Sequence, residues 1–175
     1  MKIPVILGTA REGRFSEKVA RYIETRVKEA GHDTYIADVR DFRLPASDRT
    51  KSTKEAKRFL EIVGSSDALI IVSPEYNHSF PGELKMMIDM VYRDFQDKPI
   101  GIVGVSSGSL GGARMAEQLR TVITGMGAIP IRYVLYFRNV RDSIDEDGMP
   151  KEDSYMGDFE TFIGELERVA EKMKG

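Results

Sequence analysis

The sequence predicts a single α/β domain on a doubly wound, five-stranded parallel sheet, order 2-1-3-4-5, with helices on both faces. Three observations lead there. Short Val/Ile-rich runs alternate with longer segments of helical period along the whole chain. The clearest runs, such as Ala68–Val72, are apolar throughout, as in strands buried on both faces. A length of 175 residues suits one domain spanning residues 1–175. A (β/α)₈ barrel takes more chain, about 250 residues.

Each element follows in order. Ile3–Leu7 is an apolar run ended by Gly8 and reads as the first strand. The polar loop Thr9–Phe15 comes next, with Ser16 as the expected N-cap. Val19, Ala20, Tyr22, Ile23, Val27 and Ala30 share one helical face, and Gly31 supplies the stop. Asp33–Val39 is a weaker second strand. Arg40–Thr53 is polar, contains Pro45 and reads as a loop. Lys54–Val63 is helical, with Ala56, Phe59, Leu60 and Val63 on one face. After the strand Ala68–Val72 comes the loop Ser73–Gly82, then a helix from Pro81 or Gly82 to about Tyr92. Ile100–Val105 is the fourth strand, Ser106–Gly112 a loop and Ala113–Met126 a helix. Ile129–Leu135 is the fifth strand. Arg138–Gly157 is polar and acidic, and Phe159–Met173 closes the chain as an amphipathic helix.

Composition removes several classes of function. There is no cysteine, so disulfides, thiolate metal sites and cysteine nucleophiles are excluded. With only two histidines a multi-histidine metal site is not expected. Asp145-Glu146-Asp147-Gly148 has the start of a calcium loop. Ser143 and Ser154 occupy positions where such a loop needs ligands, so an acidic turn is expected. The net charge of −2 weighs against a nucleic-acid-binding face. No signal peptide and no apolar run long enough to span a bilayer is present, so a cytoplasmic protein is expected.

In a sheet of this order ligands sit beyond the C-terminal strand ends, near the switch between strands 1 and 3. Three unusual loops lie there. Gly8–Ser16 leads into a helix, where free backbone N–H groups favour an anion. Thr9, Ser16, Arg11 and Arg14 add donors suited to a phosphate monoester, or the segment is a solvated turn. It matches neither the P-loop nor the G-x-G-x-x-G pattern. Ser73–Gly82 is stiffened by Pro74 and Pro81 and, with Glu75, Tyr76 and Asn77, could hold a flat aromatic ligand. Tyr76 or Phe80 would supply a π face, while Asn77 and backbone amides reach its polar edges. Otherwise the segment is a rigid connector with Pro81 opening the next helix. His78 in this loop reads as a surface residue before a catalyst. Ser106–Gly112 contains Ser107, Gly108, Ser109, Gly111 and Gly112, small enough for a ligand to approach the backbone. A phosphate subsite beside two loops suited to a flat heterocycle describes a mononucleotide.

Ser73-Pro74-Glu75-Tyr76-Asn77, Pro81-Gly82-Glu83-Leu84-Lys85 and Ile88-Asp89 resemble the NADPH-dependent FMN reductase family. That group has a flavodoxin-like fold and includes chromate and quinone reductases. Its pattern here is approximately P-E-Y-N-x-S-x-P-G-x-L-K-x-x-I-D, and the chain matches every fixed position. Gly8-Thr9 with Arg11 and Ser16 resembles the family's phosphate loop, and Ser107–Gly112 its glycine-rich ring loop. The similarity covers roughly residues 1–135. Thr9 stands where the family usually has Ser, and Glu17 where Asn is frequent. The longer spacing from Arg11 to Ser16 leaves open which of Arg14, Phe15 and Ser16 touches the phosphate. Met86 and Met90 replace frequent Asn and Trp on a helix that often packs against a second subunit.

The resemblance implies a reductase that binds FMN without a covalent bond, oxidises NADPH or NADH, and passes electrons to a small-molecule acceptor. The flavin performs the hard chemistry and the protein binds and tunes it, so no catalytic side chain is assigned. Thr9, Arg11, Arg14, Phe15, Ser16, Pro74, Glu75, Tyr76, Asn77, Ser107, Gly108, Ser109, Gly111 and Gly112 are the expected cofactor-binding residues. A flavodoxin-type electron carrier is the alternative. It is disfavoured by the two arginines in the phosphate loop and the small net charge. A phosphate-binding domain without flavin is a third reading. A homodimer or homotetramer is expected, built on the helix Gly82–Tyr92, with Met86, Met90 and Tyr92 left over once its core side is filled.

Overall fold

The computed structural model describes residues 1–43, 51–151 and 157–174. The expected loop around Pro45 and the Ser154 position lie outside them. The five strands are β1 Val5–Leu7, β2 Ile36–Asp38, β3 Leu69–Pro74, β4 Pro99–Val105 and β5 Ile129–Phe137. All pair in parallel in the order β2-β1-β3-β4-β5, as the sequence predicts. The helices are α1 Phe15–Glu29, α2 Lys54–Ser65, α3 Gly82–Met90, α4 Ala113–Gly125, α5 Val140–Ser143 and α6 Phe159–Met173.

Alternating residues of each strand feed two apolar layers, because successive side chains point to opposite faces. Ile6, Leu69, Ile71, Ile100 and Ile102 pack against α2, α3 and α4 through Phe59, Val63, Leu84, Met87 and Leu119. Val5, Leu7, Ile70, Val72 and Val103 pack against α1 and α6 through Val19, Ile23, Phe162 and Leu166. At Gly101 an added Cβ would stand 2.5 Å from Phe162 Cζ, so a missing side chain on β4 makes room for that ring.

Where elements differ from the expectation, local chemistry explains it. Ser16 is not the N-cap of α1. That position belongs to Arg14, and the helix begins at Phe15. A side-chain cap is replaced by the bonds that Arg14 makes to Asp38 at the end of β2, to Glu17 and to the Thr9 carbonyl. β3 runs on through Ser73 and Pro74, because both pair with β4 and the Glu75 N–H donates to the Val105 carbonyl at 3.1 Å. Apolar patterning stops at Val72 while the backbone ladder does not. Part of the expected loop after β2 is a 3₁₀ turn, Val39–Phe42, pinned by Phe42 against Phe59 at 5.4 Å between ring centroids. α3 stops at Met90 and a second 3₁₀ turn, Tyr92–Phe95, buries Phe95. Met90 is itself a core residue, 3% exposed, so it leaves the set expected at a subunit interface. The acidic turn is closed by Asp145, whose carboxylate accepts from the N–H groups of Asp147 and Met149.

Candidate functional site

The loops after β1, β3 and β4 meet at the C-terminal edge of the sheet. The first is held from below and from both sides. Gly8 passes under α3 so closely that a Cβ would stand 2.8 Å from Leu84 Cδ2. Thr9 is fully buried, and its hydroxyl is spent within the protein. It lies 3.0 Å from the Tyr76 hydroxyl and donates to Glu83 Oε1 at 3.2 Å. The same Glu83 oxygen accepts from the Ala10 N–H at 2.9 Å. One carboxylate on α3 thereby ties the first loop to the second.

Arg14 performs a similar fastening. Its guanidinium is turned inward, 3% exposed, and forks onto both oxygens of Asp38 at the end of β2. It also donates to the Thr9 carbonyl and to Glu17 Oε2. Burial alone would lower its pKa, but the bonds and charges of Asp38 and Glu17 outweigh this and raise it. Burial would raise the Asp38 pKa, but Arg14 and the Arg40 N–H hold it below the usual carboxylate range. Arg40 completes the frame by donating to the carbonyls of Ala10 and Arg11 at 3.1 and 2.7 Å.

Arg11 is the contrast. It is exposed, and among the described residues its guanidinium has no partner. Near it, Ser16 Oγ is buried with no hydrogen-bond partner. In the first turn of α1 the Glu17 N–H donates to the Arg14 carbonyl at 3.3 Å, while those of Phe15 and Ser16 have no intrahelical acceptor. These donors border a cavity of about 220 Å³ that also touches Phe15, Pro74 and Ser107.

The second loop closes on a two-residue turn. Tyr76 and Ser79 exchange backbone bonds of 2.8 and 2.9 Å, and Asn77 and His78 between them have φ of 49° and 67°. Both central residues at positive φ make a primed turn, a conformation that asparagine tolerates well. His78 is exposed at its tip. Glu75 stands where the small cavity meets a larger groove of about 780 Å³. Its Oε1 accepts from Arg114 at 3.1 Å, while Oε2 is buried without a partner.

In the third loop Ser107, Gly108 and Ser109 are exposed, whereas Gly111 and Gly112 are buried. The buried pair is needed by the fold itself. Gly112 has φ of 88°, and its Cβ would stand 3.0 Å from the Val105 nitrogen. Gly111 has φ of 61°, and its Cβ would stand 2.8 Å from Tyr136 Cβ. These glycines hold the loop down on β4 and β5 and line neither cavity. Gly108 and Ser109 do not line them either, and Asn77 borders only the larger groove.

Five residues of the site are absent from the sequence-based set: Asp38, Arg40, Glu83, Arg114 and Arg141. Asp38 had a topological signal, because β2 lies beside β1 in the 2-1-3-4-5 order. Glu83 occupies an unspecified position of the motif. Arg114 and Arg141 follow loops whose paths the sequence leaves open.

Comparison with known proteins places this geometry. The family model described as NADPH-dependent FMN reductase matches residues 1–142. An NAD(P)H-dependent FMN reductase of a Nectria species is 29% identical, over 99% of this chain and 97% of that protein. A quinone reductase of Escherichia coli is 30% identical, over 74% of this chain and 72% of that one. Among solved structures, the flavoenzyme NAD(P)H:(acceptor) oxidoreductase of Paracoccus denitrificans superposes with a TM-score of 0.78 at 19% identity, covering 99% and 97%. An archaeal flavodoxin gives 0.64 at 15% identity over the whole of both chains, so the fold is flavodoxin-like. The family match runs from the phosphate-loop candidate through the three site loops and into α5, and on it the chain belongs to the NADPH-dependent FMN reductase family.

Proposed function

We propose that this chain binds FMN without a covalent bond at the ends of β1, β3 and β4. It takes hydride from NADPH or NADH and passes electrons to a small acceptor such as a free flavin or a quinone. The observation that carries the reading is the donor set of the small cavity. A free guanidinium, an orphaned buried hydroxyl and a helix N-terminus surround one space. A buried hydroxyl without a partner costs about 1–3 kcal/mol, so a bound acceptor is the expected remedy. A phosphate monoester supplies acceptor oxygens to all three donors.

Bound FMN would supply the redox chemistry, accepting hydride and giving up electrons. Arg11 would place a charge-assisted bond on the phosphate, and Ser16 Oγ would donate to a second oxygen. Arg14 contributes indirectly, by fixing the Thr9 carbonyl and with it the path of the loop that carries Arg11. Pro74–Asn77 and Ser107–Ser109 would border the flat ring. Glu75 Oε2 is free to accept from a ribityl hydroxyl or a ring N–H. Hydride transfer to the flavin needs no acid–base side chain, protons for the reduced acceptor coming from solvent, and no residue is assigned as catalytic.

A homo-oligomer belongs to the proposal on narrower grounds than Met90 would have given. Met86 is half-buried on the outer side of α3 and Tyr92 half-buried just beyond it. A second copy there would cover Tyr92 and wall the groove at whose edge Met86 stands. A cytoplasmic place goes with the reading, since reduced nicotinamide nucleotides are held there.

The test is spectroscopic. Purified or FMN-reconstituted protein should show flavin absorbance that bleaches anaerobically on adding NADPH or NADH alone, and returns with a quinone. Flavin absorbance without bleaching would make the chain a flavodoxin-type carrier. Failure to retain any flavin would leave a phosphate-binding domain.

A further inference from the structure

We propose that the larger groove receives the adenosine end of NADPH, with Arg43 holding the 2′-phosphate and thereby selecting NADPH over NADH. The proposal rests on the FMN reading, which puts the flavin phosphate in the adjoining cavity and the ring along Pro74–Asn77 and Ser107–Ser109. The two spaces share Arg11, Glu75 and Tyr76 as a common wall, so a molecule lying in the groove has one end beside the flavin loops.

Size and floor come first. The groove measures about 780 Å³, the scale of a cavity for a large ligand and far more than a single quinone ring fills. Val39 and Phe42, from the turn after β2, are core residues that floor the groove with only their edges open. Half-buried Met86, from α3, is its more open apolar side chain. That surface suits the flat face of a purine.

Charge decides the ligand. Two carboxylates border the groove, and both are engaged. Glu83 accepts from the Ala10 N–H and the Thr9 hydroxyl through Oε1. Glu75 is paired with Arg114 through Oε1, its Oε2 being the oxygen left for the flavin. Arg40 is spent on two backbone carbonyls. Arg43 is exposed, borders the groove and has no partner among the described residues. Unlike Arg11, it does not border the small cavity. With Arg11 assigned to the FMN phosphate, Arg43 is an unclaimed cation of the groove lining, outside the wall shared with the flavin cavity. A neutral acceptor has no use for it there. The nicotinamide dinucleotides differ by one phosphate at the adenosine end, remote from the reacting ring. A guanidinium grips such a group with paired, charge-assisted bonds.

The test uses the FMN-loaded protein, wild type and Arg43→Ala, titrated calorimetrically with adenosine 2′,5′-bisphosphate and adenosine 5′-monophosphate. Wild type should bind the bisphosphate about tenfold or more tightly, and the variant should lose that difference. In steady state, Arg43→Ala should raise KM for NADPH about tenfold to a hundredfold while KM for NADH and kcat stay put. Arg43→Lys should recover part of the preference. Equal binding of the two adenosine phosphates by wild type, or an equal loss for NADPH and NADH in the variant, would overturn the proposal. So would loss of FMN from Arg43→Ala, which would make Arg43 a flavin ligand. FMN retention is measured separately by flavin fluorescence. If wild type binds no FMN, the functional reading fails, and the bisphosphate titration of the flavin-free chain still decides the groove.

Discussion

Arg11 and Arg14 sit three positions apart in one loop and do different work, because only one has carboxylates within reach. Arg14 is folded in upon Asp38 and Glu17, and Arg11 projects outward. Arg11→Ala should therefore weaken FMN binding about tenfold to a hundredfold, the worth of a charge-assisted bond. Riboflavin, which lacks the phosphate, should be nearly unaffected, and fluorescence titration of both flavins checks this. Equal losses would mean that Arg11 does not touch phosphate. Asp38→Asn tests the other arginine. It leaves a buried guanidinium short of its main counter-charge and should cost on the order of 3 kcal/mol in urea melts at neutral pH. The pH dependence has a definite sign. A carboxyl held below its unfolded pKa stabilises fully above about pH 4, and that contribution disappears as pH falls through the native value. Wild type should thus lose stability toward acid more steeply than Asp38→Asn as the pH falls below about 4.

Elements, not single contacts, explain the third loop. β4 carries Gly104, where an added Cβ would stand 2.5 Å from the Gly111 carbonyl, and the loop lies directly on that opening. Gly112→Val combines a forbidden φ with a collision against the β4 backbone. It should lower the thermal midpoint by several degrees, with flavin binding lost in parallel with folding. Gly108→Ala is the control. Its Cβ would meet only Ser106 Oγ at 3.5 Å, so stability should be unchanged. A loss of FMN from the folded Gly108→Ala protein would show that the ring approaches the loop at that point. The first loop behaves likewise. Glu83→Ala frees the Ala10 N–H and the Thr9 hydroxyl from α3. FMN affinity should fall several-fold with only about 1 kcal/mol of lost stability, as fluorescence titration and melts would show.

At the scale of the whole molecule, α3 links the core to the surface. Leu84, Met87, Ile88 and Met90 face inward, while Glu83, Lys85, Met86 and Asp89 are partly open to solvent. Lys85 and Asp89 pair with each other across one turn, at 2.6 Å. A charge at Met90 would enter the core, so Met90→Asp should unfold the protein and report nothing about assembly. Met86→Asp asks the right question. Light scattering should give a multiple of 19.7 kDa for wild type and a smaller species for the variant, with flavin still bound. A wild-type monomer that reduces FMN at full rate would remove the second subunit from the proposal.

The sheet and its order were legible in the sequence because burial on both faces writes long Val/Ile runs, and alternation with helices constrains the connections. The three site loops were legible for a related reason, since topology puts them at one edge whatever their details. The motif around Glu75–Asp89 identified the family, and the glycines of Ser106–Gly112 marked a close approach, though to the protein's own β4 backbone in the case of Gly112. Partner choice was not legible. Arg14 and Arg11 look alike in the chain, and only the packing of β2 beside β1 brings Asp38 to one of them. The apolar stripe of α3 reads the same whether a methionine faces the core or a second subunit. Met90 was decided by the packing of α3 against the sheet and the turn that follows it. Local pattern records which residues avoid water, and tertiary structure alone decides which surface they meet.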